Sequence, residues 1–185
     1  MSDEILNDIG RILLSESEIQ QRVGQIAAQI STDYAGRNPL LVGVLKGVIF
    51  FMTDLLQAIT IPVTVDFMAI SRYDPHKQAG GAVRLVKDLE EAVEGRDLIF
   101  VEDVVDTGLT LSYLLRLLHA RGPASVEVCV LFDKPQHRLV KIPIKYKGFD
   151  LPDRFVVGYG LDYRESYRHL PYVAELKPGV LNLHQ

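Results

Sequence analysis

Residues 99–111 constrain the fold of this chain more than any other segment. Their sequence, IFVEDVVDTGLTL, starts as an apolar run, continues through two adjacent carboxylates and leads through a short turn into an apolar stretch with helical spacing. This order predicts a buried strand, an acidic pair, a tight loop and a helix. Such a loop points backbone N–H groups and the positive end of the helix dipole at its ligand, which favours a phosphate.

The side chains of the segment narrow the type of ligand. Gly108 lets the backbone approach a bound group closely, and the hydroxyls of Thr107 and Thr110 can donate to phosphate oxygens. Glu102 and Asp103 can accept hydrogen bonds from sugar hydroxyls. The pattern therefore predicts a site for a phosphorylated ribose. The alternative is a strand–turn–helix joint with solvated acidic caps, but so many polar side chains at one strand end serve no packing purpose.

The remainder of the chain predicts an α/β fold, with a mostly parallel central sheet flanked by helices. Strands are predicted at 40–45, 62–70, 83–86, 97–101 and 125–132. Helices are predicted at 16–34, at 48–59 and after Gly108, the first of them beginning at a capping box of Ser15 and Glu18. Ligands of such a sheet collect at the carboxyl ends of its strands.

The length of 185 residues predicts a single domain over 1–185, long enough to bury roughly 70% of its unfolded surface. The polar, turn-rich stretch at about 71–82 predicts a flexible lid loop. The short segments separated by prolines at about 134–175 predict a small hood over the sheet edge, which we expect to be a C-terminal/N-terminal hood.

Composition excludes several function classes. A net charge of −4 argues against a nucleic-acid partner, which needs a basic surface stripe. Cys129 lies in an apolar run and is expected to be a buried thiol. The N-terminus has no apolar signal region and no apolar run reaches the ~18 residues that span a bilayer, so we expect no membrane association and a cytoplasmic location.

Residues 102–110 resemble the binding motif for phosphoribosyl diphosphate (PRPP) of the type I phosphoribosyltransferases. Three further segments narrow the resemblance to the hypoxanthine-guanine phosphoribosyltransferases: FDKP at 132–135, LPDRFVVGYGLDY at 151–163 and YRHLP at 167–171. The resemblance implies purine salvage, in which PRPP and hypoxanthine or guanine give IMP or GMP plus diphosphate, with Mg²⁺ as cofactor. A xanthine-preferring or broad 6-oxopurine enzyme is an alternative, as is a regulatory RNA-binding protein on the same fold.

The resemblance also assigns residue roles. Asp106 would be the catalytic proton acceptor near N7 of the purine. PRPP would contact Glu102, Asp103, Asp106, Thr107, Gly108, Leu109 and Thr110. Diphosphate would contact Lys46, Gly47 and Arg168, with a cis peptide expected at Leu45–Lys46. The purine would contact Lys134 through its 6-oxo group, Phe155 by stacking, Val156 and Asp162. Magnesium would bind Glu102, Asp103 and Asp162.

Two implications of the resemblance concern the lid and assembly. The lid would contribute Ser71 and Tyr73, but Arg72 separates these residues, whereas the family usually has adjacent Ser and Tyr there. The family also implies a homodimer or a homotetramer, between which the sequence does not decide.

Overall fold

The structure is a computed structural model that describes residues 7–72 and 83–182. Its strands are β1 (Ile9–Leu14), β2 (Leu40–Leu45), β3 (Thr64–Arg72), β4 (Val83–Lys87), β5 (Asp97–Val105), β6 (Ser125–Asp133), β7 (Tyr146–Asp150), β8 (Val156–Val157) and β9 (Val173–Leu176). Its helices are α1 (Glu16–Asp33), α2 (Val48–Ala58), α3 (Leu109–His119) and α4 (Pro178–Asn182), with a 3₁₀ turn at Pro135–His137. No helix in this part of the chain is long and apolar enough to cross a membrane.

The central sheet has six strands in the order β4-β3-β2-β5-β6-β7. All neighbouring pairs are parallel except β3 with β4, which confirms the predicted α/β fold. Alternate side chains of β2 and β5 enter two separate cores. Leu41 and Ile99 pack in the core that contains α1 and α2, while Val42 and Phe100 pack in the core that contains α3. Burial on both faces explains why β2 and residues 98–101 of β5 are apolar runs.

Helix α1 begins as the sequence predicts. Ser15 is its N-cap: its side chain accepts from the backbone N–H of Glu18, and the Glu18 side chain accepts from the N–H of Ser15. Ile19, Val23 and Ile30 lie on the buried face of the helix. Cys129 is also buried as predicted, and burial raises the pKa of its thiol.

Strand β5 is longer than its apolar run predicts. Parallel pairing with β6 continues from Glu102 opposite Val130 to Val105 opposite Asp133. Backbone pairing does not depend on side-chain charge, so the strand continues through the acidic residues. Glu102 and Asp103 therefore lie inside the strand, not after it, and Asp106 is the first residue beyond it.

Strand β3 also runs further than predicted and shortens the proposed lid. Its antiparallel pairing with β4 places Ser71 opposite Arg84 and continues to Arg72. Ser71 is thus an exposed strand residue and not part of a loop. Tyr73 and the rest of the predicted lid, through residue 82, lie outside the described residues.

The hood differs from the predicted range of 134–175. Strand β7 pairs in parallel with β6 at the edge of the main sheet, so the chain enters the hood only after Asp150. The hood is a three-stranded antiparallel sheet in the order β1-β9-β8, made from both ends of the chain. The sequence YKGFD of β7 alternates too briefly to signal a strand, and the pairing of β1 with β9 joins segments far apart in sequence.

Candidate active site

The carboxyl ends of β2, β5 and β6 border a cavity of about 560 Å³, with hood residues on its far side. Most predicted site residues line it: Lys46, Gly47, Glu102, Asp103, Asp106, Thr107, Gly108, Thr110, Lys134, Phe155, Val156, Asp162 and Arg168. Among the predicted site residues that the structure describes, two do not line it: Ser71, and Leu109, whose side chain is exposed. Apolar lining residues that the sequence did not single out include Val44, Ile70 and Leu161.

The loop between β5 and α3 has the form expected of an anion site. Gly108 is the N-cap of α3, with a φ of 81° in the left-handed region. Because glycine has no side chain, it does not cap the N–H groups of the first helical turn. One N–H of the first turn, that of Leu109, donates weakly to Oγ1 of Thr107 at 3.4 Å. The side chain of Leu109 is exposed and does not line the cavity, so only its backbone is available to a ligand at this loop.

Residues 134–142 support this loop from behind. The carbonyl of Thr107 accepts hydrogen bonds from the N–H of Leu139 at 2.9 Å and of Val140 at 3.3 Å. A Cβ at Gly108 would lie 3.0 Å from Cδ1 of Ile142 and 3.1 Å from Cδ of Arg138. The loop thus packs against a second segment that its own sequence does not reveal.

The acidic pair lines the cavity and is half-buried. Oε2 of Glu102 is buried and has no hydrogen-bond partner in the part of the chain that the structure describes. Burial raises the pKa of Glu102 well above its usual value, and the neighbouring charge of Asp103 adds to this. Burial also raises the pKa of Asp103, to about 6, although the backbone N–H of Val104 counteracts it. An unpartnered buried carboxylate oxygen favours a cation or a hydroxyl donor above it.

The acidic residues do not form a finished metal site. Within residues 7–72 and 83–182, no group of three or more His, Cys, Asp and Glu side chains is arranged to bind a metal ion. Glu102, Asp103 and Asp162 are therefore not preassembled ligands. Magnesium typically binds one or two carboxylates together with waters and substrate phosphates. The buried, unpartnered oxygen of Glu102, together with the neighbouring Asp103, is consistent with this mode of magnesium binding.

The turn after β2 lies directly beside Asp103. The peptide between Leu45 and Lys46 is cis, as expected. A Cβ on Gly47 would overlap the carboxylate of Asp103 and would lie 3.1 Å from the carbonyl oxygen of Gly160. Only glycine therefore lets this turn fit between the acidic strand and the hood.

The two predicted diphosphate cations meet at one carboxylate. Nζ of Lys46 lies 2.9 Å from Oε2 of Glu165, and Nη2 of Arg168 lies 3.5 Å from Oε1 of the same residue. The same Arg168 nitrogen lies 2.8 Å from Oδ1 of Asp162. The hydrogen bond and charge of Lys46 lower the pKa of Glu165. Together these contacts place two cations at the same side of the cavity.

A second group of lining residues, Phe155, Lys134 and Val156, suits a flat, partly polar ligand. Phe155 is 44% exposed and makes an edge-to-face contact with Tyr163, with ring centroids 5.4 Å apart. Nζ of Lys134 donates to the carbonyl of Arg154 at 2.9 Å, and Val156 is buried in β8. An exposed aromatic face next to an ammonium group can stack on a heterocycle and donate to its rim.

Comparison with known proteins decides the family. Residues 12–164 match the family model described as a phosphoribosyl transferase domain. A hypoxanthine-guanine phosphoribosyltransferase of Streptococcus agalactiae is 49% identical over 174 residues, which are 94% of this chain and 97% of that protein. This chain belongs to the hypoxanthine-guanine phosphoribosyltransferase family.

Further comparisons agree with this membership. The crystal structure of a hypoxanthine phosphoribosyltransferase from Staphylococcus aureus is similar with a TM-score of 0.92 and 43% identity, over 97% of this chain and 98% of that chain. The bifunctional protein TilS/HprT of Listeria monocytogenes is 47% identical over 179 residues. These residues are 97% of this chain but only 28% of that protein.

The sequence-based prediction missed two residues, Glu165 and His137, that contact side chains lining the cavity. Glu165 follows Arg164 in a stretch where both residues have positive φ, of 52° and 64°, which no sequence pattern here indicates. Nδ1 of His137 lies 2.7 Å from Oδ1 of Asp106. The histidine lies far from Asp106 in sequence and has no metal-ligand spacing, so only the fold brings the two together.

Proposed function

We propose that the protein transfers the 5-phosphoribosyl group of PRPP to hypoxanthine or guanine, giving IMP or GMP and diphosphate. One observation carries the proposal: a single cavity joins a helix N-terminus, half-buried carboxylates, two cations and an exposed aromatic ring. These groups match the phosphate, ribose, diphosphate and purine in turn. The names of the relatives in Streptococcus agalactiae and Staphylococcus aureus support it.

The phosphate loop binds the 5′-phosphate of PRPP. Backbone N–H groups at the start of α3 and the hydroxyls of Thr107 and Thr110 donate to its oxygens. Glu102 and Asp103 lie next to this loop in β5 and accept from the ribose hydroxyls, which provide the missing partner of the buried Glu102 oxygen.

The leaving diphosphate binds between the Lys46–Gly47 turn and Arg168. Glu165 occupies both cations in the structure described here, so the incoming diphosphate replaces its carboxylate. Glu102, Asp103 and Asp162 would hold magnesium, which when bound neutralises the diphosphate as a Lewis acid and aligns it for departure.

The purine stacks on Phe155, and Lys134 donates to its 6-oxo oxygen in place of the Arg154 carbonyl. Its N9 attacks the anomeric carbon, so the N9–C1′ bond forms as the bond from C1′ to diphosphate oxygen breaks. Asp106 accepts the proton that the purine loses, near N7. The Asp106 side chain is 55% exposed and lines the cavity, so it is accessible to a bound base.

Nucleotide formation tests the proposal directly. The protein is incubated with PRPP and magnesium and with hypoxanthine, guanine, xanthine or adenine, and product is followed by absorbance and chromatography. We expect IMP and GMP, with adenine a negligible substrate because Lys134 would face its 6-amino group donor to donor. Xanthine as the fastest substrate would support the xanthine-preferring alternative. No turnover of any base, together with tight RNA binding, would contradict the proposal.

The same proposal includes self-association. We expect a homodimer or a homotetramer, as the family implies, and sedimentation equilibrium over a range of concentrations separates the two.

A further inference from the structure

His137 connects the carboxylate of Asp106, which lines the cavity, to the carboxylate of Asp153. It closes the 3₁₀ turn Pro135–His137 that follows Lys134. Nδ1 of its ring lies 2.7 Å from Oδ1 of Asp106, and Nε2 lies 2.6 Å from Oδ1 of Asp153. One imidazole thus spans from the phosphate loop to the segment that leads into Phe155.

The protonation of the ring follows from this geometry. A neutral imidazole has one N–H donor and one lone pair, so it can donate to only one of two carboxylates. The imidazolium donates to both. Asp106 and Asp153 are the charged groups that face the ring, and both raise the pKa of His137, Asp106 through the larger effect. The ring is 35% exposed, so it can exchange its proton with solvent.

We propose that His137 is a positioning residue for the transfer reaction, whose protonated ring orients the carboxylate of Asp106 and links it to the segment that carries Phe155. The proposal rests on the role of Asp106 as proton acceptor. With Oδ1 bonded to the imidazolium, the other oxygen of Asp106 is the one presented to the purine. The single side chain of His137 then fixes the position of Asp106 relative to the segment that carries Phe155.

The backbone around His137 makes this hold effective. An exposed ion pair alone contributes little, largely because two mobile side chains must be ordered. Here the turn is already fixed: the N–H of His137 donates to the carbonyl of Lys134 at 3.1 Å, and that of Leu139 donates to the carbonyl of Thr107 at 2.9 Å. The segment that carries the imidazole is therefore bonded directly to the loop that carries Asp106.

The proposal has a pH signature. Positioning is complete while the ring is protonated and is lost as the pH rises through the pKa of His137, which lies above the ordinary value of 6.5. Turnover with hypoxanthine should accordingly decrease on the alkaline side. An arginine at position 137 carries several donors and a permanent charge, so it should retain the contacts without this decrease.

The experiment compares kcat, KM for PRPP and pH profiles of the full-length protein and its variants, with hypoxanthine as substrate. His137→Ala should lower kcat by roughly 10-fold, within the ~10²-fold that a misplaced reacting group can cost, with the KM for PRPP unchanged. His137→Arg should restore kcat and remove the alkaline decrease. Asp153→Asn should move that decrease to lower pH. His119→Gln is the matched control, because His119 is exposed at the end of α3, and it should leave every parameter unchanged.

Two outcomes separate this proposal from the one on which it rests. If Asp106→Asn reduces turnover but His137→Ala retains the kcat and pH profile of the wild type, the positioning role is wrong and the base assignment stands. If Asp106→Asn has wild-type turnover, the base assignment itself fails. Direct NMR titration of the His137 ring is a second measurement that needs no alanine variant. A pKa that does not fall in Asp153→Asn would contradict the bridge.

Discussion

The two halves of the cavity are built differently. The phosphate-loop half comes from one continuous stretch, residues 102–110, at the end of β5 and the start of α3. The opposite half is assembled from separate pieces of the chain, at 46–47, 134, 155–156, 162 and 168. In the proposed reaction the first half would bind the phosphate and ribose of PRPP, and local sequence specifies its conformation. The second half would bind the base and the diphosphate, and it is complete only when the hood has folded against the sheet.

The backbone reflects the same contrast. The loop needs one left-handed residue, Gly108, at the helix N-cap. The hood segment has positive φ at Tyr159, Arg164, Glu165 and Tyr167, which are not glycines. Non-glycine residues adopt this conformation only when surrounding contacts require it. The assembled half therefore depends more on its surroundings than the loop does.

The largest expected effect applies to both halves at once. Removing divalent metal with EDTA should abolish nucleotide formation, because diphosphate is a poor leaving group while its charge is uncompensated. Added magnesium should restore the rate, and EDTA already saturated with magnesium serves as the control. Full activity in excess chelator would show that the two halves work without a metal between them.

The next effect isolates the continuous half. Asp106→Asn is isosteric and should preserve the loop, so the KM for PRPP should stay constant while kcat falls by roughly 10²–10⁴-fold, the usual contribution of a positioned general base. Steady-state kinetics with a single-turnover measurement would show whether chemistry limits the rate. Wild-type turnover with rate-limiting chemistry would remove Asp106 from proton transfer.

A smaller effect isolates the assembled half. Lys134→Gln should lower kcat/KM for hypoxanthine by roughly 10- to 150-fold, the equivalent of a hydrogen bond to a charged group. The KM for PRPP should not change. The ratio of kcat/KM for hypoxanthine to that for adenine should decrease, because glutamine offers an acceptor as well as a donor. Lys141→Gln, at an exposed lysine of the same segment, is the matched control. An unchanged preference for hypoxanthine over adenine would contradict base selection by Lys134.

The smallest effect concerns the contact between Glu165 and the diphosphate cations. Glu165→Gln should lower the KM for PRPP, because Lys46 and Arg168 would no longer have to break an ion pair with a carboxylate before they bind diphosphate. The decrease should be no more than about 5-fold, because exposed ion pairs contribute little. This decrease in the KM for PRPP should be smaller at high ionic strength, because salt screens exposed charges. Glu94→Gln, at another exposed glutamate, is the control. A higher KM would indicate that Glu165 helps bind PRPP and does not compete with it.

The sequence by itself determined the α/β fold and the phosphate-loop half of the site. The decisive patterns each extend over only a few residues, so they can be recognised directly in the sequence. They are apolar runs such as 40–45, the capping box at Ser15 and the Asp-Thr-Gly turn. Through the family resemblance, it also named the residues of the opposite half, from Lys46 to Arg168, and the structure brings them to one cavity.

Only the tertiary structure decided the remaining features. Pairing with β6 extends strand β5 through Glu102. Pairing of β1 with β9 brings segments near the two ends of the chain together in the hood. The contacts of His137 with Asp106 and Asp153, and of Glu165 with Lys46, link side chains that lie far apart in sequence. Local patterns specify local conformation, whereas these contacts arise from the packing of whole elements, which sets distances that no short segment encodes.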